Sequence, residues 1–289
     1  MRQSCLCALL VLACLATSVP APAAEAAASR SALRLGCVAF VKEDTATAYR
    51  QLSEYLTKEL SSEVALTLYP NYHDAMLDLV NGKLELAVLP PLVYLNARHE
   101  KPLETLGYGV YHGSGHFSYR SLILVRADSK AVSLEELSGK KVAFVDIMSA
   151  SGYVVPKAAL VKAGVTGKKD VKGSFHQNHV DAVRALLRGE AEAAATYDLV
   201  FSDSREISEQ KAKLRTLWTS DLVIPSDAVV AAPEVSVELR GKIVDALLGY
   251  YSAQKQKRAA ENRVYEGFVP PDPNLYNDLE RFLSEFSKH

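Results

Sequence analysis

The stretch HDAMLDLVNGKLELAVL, residues 73–89, has a counterpart later in the chain, VDAVRALLRGEAEAAAT, residues 180–196. Four residues of the first copy recur 107 positions later: Asp74, Ala75, Gly82 and Glu85. In both copies a helical pattern ends at a glycine and leads into a short apolar run, which predicts a helix followed by a buried strand. Two copies in the same order indicate two lobes of similar plan. The alternative is one large domain with accidental self-similarity.

Each predicted lobe alternates strands with helices. In the first lobe the strand, helix, strand, helix and strand are predicted at residues 33–40, 45–60, 64–69, 72–80 and 84–89. In the second lobe the same order is predicted at residues 141–145, 152–163, 171–175, 181–187 and 191–196. This alternation indicates α/β lobes, each with a mainly parallel, Rossmann-like sheet and helices on both faces.

Two extended runs, YRSLILVR at 119–126 and LVIPSDAVVA at 222–231, are predicted to cross between the lobes as a two-strand hinge. Residues 236–289 are rich in helix formers and are expected to pack on the first lobe as helices. The predicted boundaries are 31–122 plus 226–289 for the first lobe and 123–225 for the second.

The N-terminus is typical of an export signal. Arg2 provides a short positive region, and residues 5–16 form an apolar run that is too short to span a membrane. Residues 1–23 are therefore interpreted as a cleaved signal peptide that ends at Ala21-Pro22-Ala23. The less favoured alternative is a lipoprotein whose Cys14 is lipid-modified. No later segment is long and apolar enough to be a membrane-spanning helix.

Composition and motifs exclude several classes of function. The formal net charge of −1 argues against nucleic-acid binding, and no Lys/Arg-rich block indicates a membrane surface. Three of the four cysteines leave with the signal, so Cys37 remains alone and is predicted to be a buried apolar residue. Without nucleotide, metalloprotease or hydrolase motifs, no cofactor and no metal are expected. A metal pair at His112 and His116 is a weak alternative.

The loop DIMSASGY, residues 146–153, follows a predicted strand and begins a predicted helix. Ligands of open α/β sheets bind beyond the carboxyl ends of the strands, where helix N-termini supply backbone N–H groups. Ser149 and Ser151 add hydroxyls, and the backbone of Ala150 and Gly152 adds donors, as an oxyanion needs. A plain serine N-cap is the alternative interpretation.

Other candidate ligand residues follow predicted strands. His179 would donate to an anion, or it is a solvent-exposed loop histidine. Asp198 and Asp227 could accept from a ligand amine or a protonated acid, or they are turn residues. Tyr94, in the loop that begins at Leu89, could cover a ligand, or Pro90-Pro91 and the apolar helix start that follows serve only packing.

Several segments in a fixed order resemble one known family. DIMSASGYVVP, residues 146–156, resembles its Asp-Pro-x-Ser-Thr-Ser-Gly-x-x-x-Pro anion loop, and Asn178-His179 is similar to its Gly-His or Ser-His element. Residues 119–129 resemble the strand with which this family crosses between its lobes, and residues 134–142 resemble the turn that follows it. Residues 218–227 resemble the segment with which the family returns to the first lobe. The family is that of the periplasmic phosphate/phosphite/phosphonate-binding proteins of ABC importers, which have the type II periplasmic-binding fold.

The resemblance implies that Ser149, Ser151 and the backbone of Ala150 and Gly152 hold the oxyanion, with His179 as a further donor. It places Asp227 near the substituent of the ligand. The chain departs from the family pattern at Ala150, where threonine is usual, at 89–91, and at 196–199. Selectivity is therefore expected from four residues: Leu89, Tyr94, Tyr197 and Asp227.

These observations predict a periplasmic, non-enzymatic binding protein that captures a small oxyanion. The resemblance implies an ABC permease in the inner membrane as its partner and a monomeric state. The alternative is a periplasmic sensor subunit that signals to a membrane histidine kinase.

Overall fold

A computed structural model describes residues 32–39, 43–112, 114–256 and 264–287 of the chain. The predicted signal peptide, residues 1–23, lies outside the described residues, and so does the cysteine of the lipoprotein alternative, Cys14. Within the described ranges no helix combines the length and the apolar character that a membrane crossing requires.

The described residues form eleven strands and nine α-helices. The strands are β1 (Leu33–Val38), β2 (Val64–Tyr69), β3 (Leu86–Leu89), β4 (Glu104–Tyr111), β5 (Ser118–Arg126), β6 (Lys141–Phe144), β7 (Lys172–Phe175), β8 (Ala193–Tyr197), β9 (Leu214–Pro225), β10 (Ala228–Ala231) and β11 (Tyr265–Val269). The helices are α1 (Glu43–Leu60), α2 (Tyr72–Val80), α3 (Pro91–Glu100), α4 (Val155–Lys162), α5 (His179–Leu187), α6 (Val200–Asp203), α7 (Arg205–Glu209), α8 (Val237–Gln256) and α9 (Asn277–Phe286).

The strands form two mixed sheets, each the centre of one lobe. The first lobe has six strands in the order β11-β4-β10-β3-β1-β2, and the second has five in the order β7-β6-β8-β5-β9. In each sheet the strands of the repeat are parallel, and the strands that follow a crossing run antiparallel to them. The chain passes to the second sheet between β4 and β5 and returns between β9 and β10. The predicted class of two α/β lobes is confirmed.

The repeated residues have the same hydrogen bonds and backbone angles in both lobes. The carboxylate of Glu85 accepts a hydrogen bond from a backbone N–H of β1 at 2.8 Å, and that of Glu192 accepts one from Lys141 in β6, also at 2.8 Å. The glycines that follow α2 and α5 have left-handed φ angles, 74° at Gly82 and 76° at Gly189. Glycine adopts this conformation without a steric penalty, so both helices end at the predicted place.

The second predicted crossing joins the two sheets. The run 222–231 contains the end of β9 and the whole of β10, which belong to different sheets. Ser226 and Asp227 lie between these strands. The Ser226 hydroxyl donates to the carbonyl of Gly109 in β4. The chain therefore turns at this point, and Asp227 faces the space between the lobes.

The C-terminal segment differs in part from its prediction. Helix α8 packs against α1, where the rings of Tyr55 and Tyr250 are 5.0 Å apart and the Tyr55 hydroxyl donates to a carbonyl of α8 at 2.8 Å. The expected packing of C-terminal helices on the first lobe is confirmed. Strand β11, however, was not predicted. It adds an edge to the first sheet by pairing antiparallel with β4, and its Tyr265 and Phe268 are buried.

Cys37 lies at the end of β1 in the core of the first lobe, with none of its surface exposed. Burial raises the pKa of its thiol. The prediction of a buried apolar cysteine is confirmed.

Candidate functional site

A cavity of about 300 Å³ lies between the two lobes and is called the cleft below. This volume is at the lower end of the range for small-molecule sites. The first lobe supplies its lining from the ends of β1 and β4 and from the start of α2, and the second lobe from the turn after β6 and the start of α5. The cleft is therefore at the carboxyl ends of the parallel strands, where open α/β sheets bind ligands.

The turn after β6 presents hydrogen-bond donors to the cleft. Ser149 and Ala150 line it, and a turn of π-helix from Ala150 to Val154 precedes α4. The Ser149 hydroxyl oxygen accepts from the backbone N–H of Gly152 at 3.0 Å, so its own proton remains available for a ligand. Within the described part of the chain, the backbone N–H groups of Ala150 and Ser151 have no hydrogen-bond partner. This end of the helix thus has three donors for an anion.

Gly152 allows this turn to lie close to β6. A Cβ atom at this position would be 2.3 Å from the nearest side-chain carbon of Val145 and 2.8 Å from the Ser149 hydroxyl oxygen. The backbone N–H of Val145 also donates to the Gly152 carbonyl at 3.1 Å. A side chain at residue 152 would therefore displace the turn and with it the donors of Ser149 and Ala150.

His179 is the first residue of α5 and lines the cleft beside the Ser149 turn. Its Nδ1 is 3.2 Å from the Thr196 hydroxyl, and its ring centroid is 4.0 Å from that of Tyr197. Burial lowers the pKa of His179 to about 3, so the imidazole is neutral at physiological pH. A neutral imidazole has one N–H. When the Thr196 hydroxyl donates to Nδ1, this N–H is on Nε2 and can donate to an anion.

Tyr72 occupies the equivalent place in the first lobe, 107 positions before His179 and at the start of α2. It also lines the cleft, and burial raises the pKa of its phenol. The two lobes therefore each present the first residue of an equivalent helix to the cleft. The repeat register could have identified Tyr72, because it aligns with a candidate residue of the second copy.

Asp227 lies in the cleft on the side of the first lobe. The hydroxyl of Tyr111 donates to its Oδ1 at 3.2 Å, and the hydroxyl of Tyr265 donates to its Oδ2. Burial raises the pKa of this carboxyl group, and the two phenol donors oppose that effect. Of the described residues that line the cleft, none is a lysine or an arginine.

The predicted site residues separate into three groups. Five line the cleft: Ser149, Ala150, His179, Tyr197 and Asp227. Ser151 and Gly152 belong to the same turn but lie behind it, with 1% of the Ser151 surface exposed. Three others do not line it: Leu89, Tyr94 and Asp198.

The three residues outside the cleft have structural contacts instead. Leu89 is fully buried in β3. The Tyr94 hydroxyl lies 2.9 Å from that of Thr105, and its ring packs on Tyr276 at 4.8 Å in the core of the first lobe. The Asp198 carboxylate accepts from a backbone N–H of β5 at 3.1 Å. Between these two candidates of the first lobe, Pro90 and Pro91 line the cleft.

The comparison with known proteins identifies the family. The model of the periplasmic phosphonate substrate-binding proteins of ABC transporters matches residues 38–276. The chain belongs to this family. A curated relative, the phosphate-import protein PhnD of Mycolicibacterium smegmatis, is 27% identical over 241 residues, which are 79% of this chain and 72% of that protein.

Solved structures of two other proteins share the fold of this phosphonate-family protein. A binding protein of an ABC phosphonate transporter from Pseudomonas aeruginosa superposes with a TM-score of 0.77 at 20% identity, over 89% of this chain and 86% of that one. PhnD1 of Prochlorococcus marinus, in complex with methylphosphonate, has a TM-score of 0.73 at 19% identity, over 89% of this chain and 99% of that one. The type II periplasmic-binding fold is confirmed.

Membership of this family has direct consequences. The protein is a substrate-binding component of an ABC importer and not an enzyme, and the family is periplasmic. Its members bind a small ligand and work with a membrane permease. The alternative of a sensor subunit for a histidine kinase gains no support from these comparisons.

Proposed function

We propose that this protein captures a small phosphorus oxyanion, of the phosphonate, phosphite or phosphate class, in the cleft between its lobes. The observation that carries the proposal is the Ser149 turn. There the unpaired N–H group of Ala150 and the Ser149 hydroxyl lie at the start of a helix, on the wall of the cleft, and the unpaired N–H group of Ser151 lies directly behind them. Such an arrangement binds an anion without any cationic side chain.

The oxyanion is held by hydrogen bonds and not by an ion pair. The dipole of the helix adds roughly half a positive charge at its N-terminus. Hydrogen bonds to an ionised acceptor are shorter and stronger than those between neutral groups. The neutral His179 contributes its Nε2–H to the same oxyanion, and the Tyr72 hydroxyl faces it from the first lobe.

Binding closes the two lobes around the ligand. We place the hinge in the two segments that join the sheets, between β4 and β5 and between β9 and β10. The predicted boundary at residues 225/226 falls in the second of these segments, whereas the predicted boundary at residues 122/123 falls inside β5, which pairs with β8 and β9 of the second sheet. Closure brings the Ser149 turn toward Tyr72 and Asp227 of the first lobe. A monomer in this closed form is what the permease would recognise.

The test is a thermal-shift screen of residues 24–289 against phosphate, phosphite, methylphosphonate, 2-aminoethylphosphonate, sulfate and acetate. A ligand at 100 times its dissociation constant stabilises the folded state by about 2.7 kcal/mol. We expect a shift with at least one phosphorus oxyanion and the loss of that shift in Ser149→Ala.

Ser236→Ala is the matched control. Ser236 also accepts from a backbone N–H at the start of a helix, that of Leu239 at 3.2 Å, but does not line the cleft. Both variants lose the stability of a serine cap, and only Ser149→Ala should lose the response to the ligand. A shift with acetate or sulfate alone would overturn the phosphorus assignment while leaving the fold intact.

A further inference from the structure

Ser226 ties the two crossings between the lobes together. It lies between β9 and β10, and none of its surface is exposed. Its backbone N–H donates to the carbonyl of Phe117, in the first crossing, at 2.9 Å, and its hydroxyl donates to the carbonyl of Gly109 in β4. Its own carbonyl accepts from the hydroxyl of Tyr276. The second crossing is therefore fastened through all the polar groups of one residue.

Tyr276 reaches this crossing from the C-terminal segment and was not identified from the sequence. It directly precedes α9, and 1% of its surface is exposed. Its ring centroid is 4.8 Å from that of Tyr94 in α3 and 5.7 Å from that of Tyr108 in β4. Within the described ranges, no other donor bonds to the Ser226 carbonyl. The first lobe thus fixes the ring, and the hydroxyl fixes the crossing.

Helix α9 anchors the C-terminal segment on the first lobe and reaches the second. Glu280 pairs with Arg98 of α3, and Leu279 is fully buried in the core of the first lobe. The helix also contacts β9, the strand that leads from the second lobe into the crossing. The C-terminal segment therefore touches the crossing and an element of each lobe.

These bonds restrict where the chain can bend. Since Ser226 is bonded to β4, to the first crossing and to Tyr276, it moves with the first lobe. Bending during closure then occurs on the second-lobe side of Ser226, where β9 ends at Pro225 and β5 begins at Ser118. A buried carbonyl that loses its donor keeps the cost of desolvation with no bond to offset it. Loss of the Tyr276 hydroxyl would therefore favour other positions of the crossing.

We propose that Tyr276 is a positioning residue for ligand capture, because it holds the second crossing on the first lobe through the Ser226 carbonyl. This inference rests on the closure of the lobes in the proposed function. Asp227, the next residue, lines the cleft, and its carbonyl accepts from the N–H of Gly109 at 3.1 Å. Movement of the crossing displaces this wall of the cleft for every ligand. Only molecules with the crossing in place close productively, so the apparent affinity falls with their fraction.

Tyr108→Phe is the matched control for Tyr276→Phe. Tyr108 also lies in the core of the first lobe, and its hydroxyl also donates to a backbone carbonyl, that of Asp272, at 2.8 Å. Neither Tyr108 nor Asp272 belongs to a crossing or lines the cleft. Each variant keeps its aromatic ring and loses one hydrogen bond to the backbone. We expect both to fold and to melt below the wild type.

The first measurement is hydrogen exchange of the unliganded protein, residues 24–289, read by mass spectrometry over residues 222–228. Tyr276→Phe should exchange at least about fivefold faster than the wild type in this segment, because the crossing opens more often. Tyr108→Phe should stay within about twofold of the wild type there. A residue with a merely structural role would lower the melting temperature without this local change.

The second measurement is the dissociation constant, by titration calorimetry, of each anion among phosphate, phosphite and methylphosphonate that the wild type binds. Tyr276→Phe should weaken them all by the same factor, about fivefold to tenfold, because the crossing shapes the cleft and contacts no single ligand group. Tyr108→Phe should bind them within about twofold of the wild type. Trp218, the single tryptophan of the chain, lies in β9, so its fluorescence provides an independent titration of closure.

The inference is overturned when Tyr276→Phe exchanges and binds as the wild type does, or when Tyr108→Phe shows the same changes. A change in only one of exchange and binding, or weaker binding of only one of several anions, also overturns it. Failure of the wild type to bind any of the three anions would instead refute the proposed function. The exchange comparison would then still decide whether Tyr276 holds the crossing.

Discussion

Asn71 and Asn178 make the same two hydrogen bonds in the two lobes, 107 positions apart. The side-chain oxygen of Asn71 accepts from the backbone N–H of Asp74 at 2.9 Å, and its amide donates to that carboxylate at 2.8 Å. Asn178 accepts from the N–H of Asp181 at 2.9 Å and donates to its carboxylate at 2.6 Å. This reciprocal cap begins α2 in one lobe and α5 in the other. Only Asn178 also lines the cleft.

Replacement of each asparagine by alanine separates stability from binding. Loss of an N-cap costs about 1 kcal/mol, so we expect Asn71→Ala and Asn178→Ala to lower the free energy of unfolding by similar amounts. Because α5 positions His179, only Asn178→Ala should also weaken ligand binding, by about tenfold. Urea unfolding and calorimetry measure the two effects. Equal binding by the two variants would show that the second cap has no part in the site.

Gly152→Ala tests the close approach of the Ser149 turn to β6. The added Cβ would lie 2.3 Å from the nearest side-chain carbon of Val145, a distance that forces the backbone to move. Overpacking of this kind costs about 1–3 kcal/mol, and we expect ligand binding to be lost as the donors shift. The matched control is Gly241→Ala in α8, where no atom beyond the adjacent residues and the backbone of the helix itself lies within 4 Å of the added Cβ. Alanine there should stabilise the helix by about 0.5–1 kcal/mol.

Comparison of the melting temperatures and ligand-induced shifts of these two variants checks the prediction. A Gly152→Ala protein that melts and binds as the wild type does would mean that the turn tolerates a side chain. The argument for a glycine at this position would then fail.

The two-lobed architecture could be predicted because the residues that shape the backbone of each lobe are the ones that repeat. The backbone N–H of Asp74 takes part in a helix cap, Gly82 has a left-handed φ angle, and the Glu85 carboxylate accepts a hydrogen bond from the backbone of a strand. All three features recur 107 positions later. Caps and turns require particular residue types at fixed spacing, so they can be recognised in a sequence. The predicted bounds of β2 and α2 agree with the structure for the same reason.

Strand β11 could not be predicted from local pattern, because its partner lies far away in the chain. It pairs with β4, more than 150 positions earlier, at an edge that the sequence does not specify. The crossing from β9 to β10 was predicted, because an apolar β-prone run leaves the second lobe there and a turn residue was one interpretation of Asp227.

The candidate site was predicted in part. The Ser149 turn and His179 were found because both follow strands of the repeat. Asp203, which also lines the cleft, was missed because it lies in a helix of four residues with no pattern of its own, and only folding brings it beside Tyr197. Tyr94 was selected by a strand-end argument, but its hydroxyl is used within the core of the first lobe.

The partly buried His179 makes the stability of the unliganded protein depend on pH. Burial lowers the pKa of His179 to about 3 in the folded state, while an unfolded histidine has a pKa of about 6.5. Between these values the unfolded state binds more protons, so stability is complete above pH 6.5 and falls as the pH decreases. From pH 7 to pH 5 this histidine should contribute a loss of about 1–2 kcal/mol. Asp203, whose pKa burial raises to about 6, acts in the opposite direction.

The difference between the wild type and His179→Gln isolates this contribution, because every other group titrates in both proteins. Urea unfolding at pH 5, 6 and 7 should show a shallower decrease for His179→Gln than for the wild type. His99→Gln, at an exposed position in α3, is the control and should retain the wild-type decrease. A saturating anion beside the imidazole favours its protonated form, so bound ligand should also reduce the wild-type decrease. Identical pH profiles for the wild type and His179→Gln would contradict a buried, neutral histidine in the cleft.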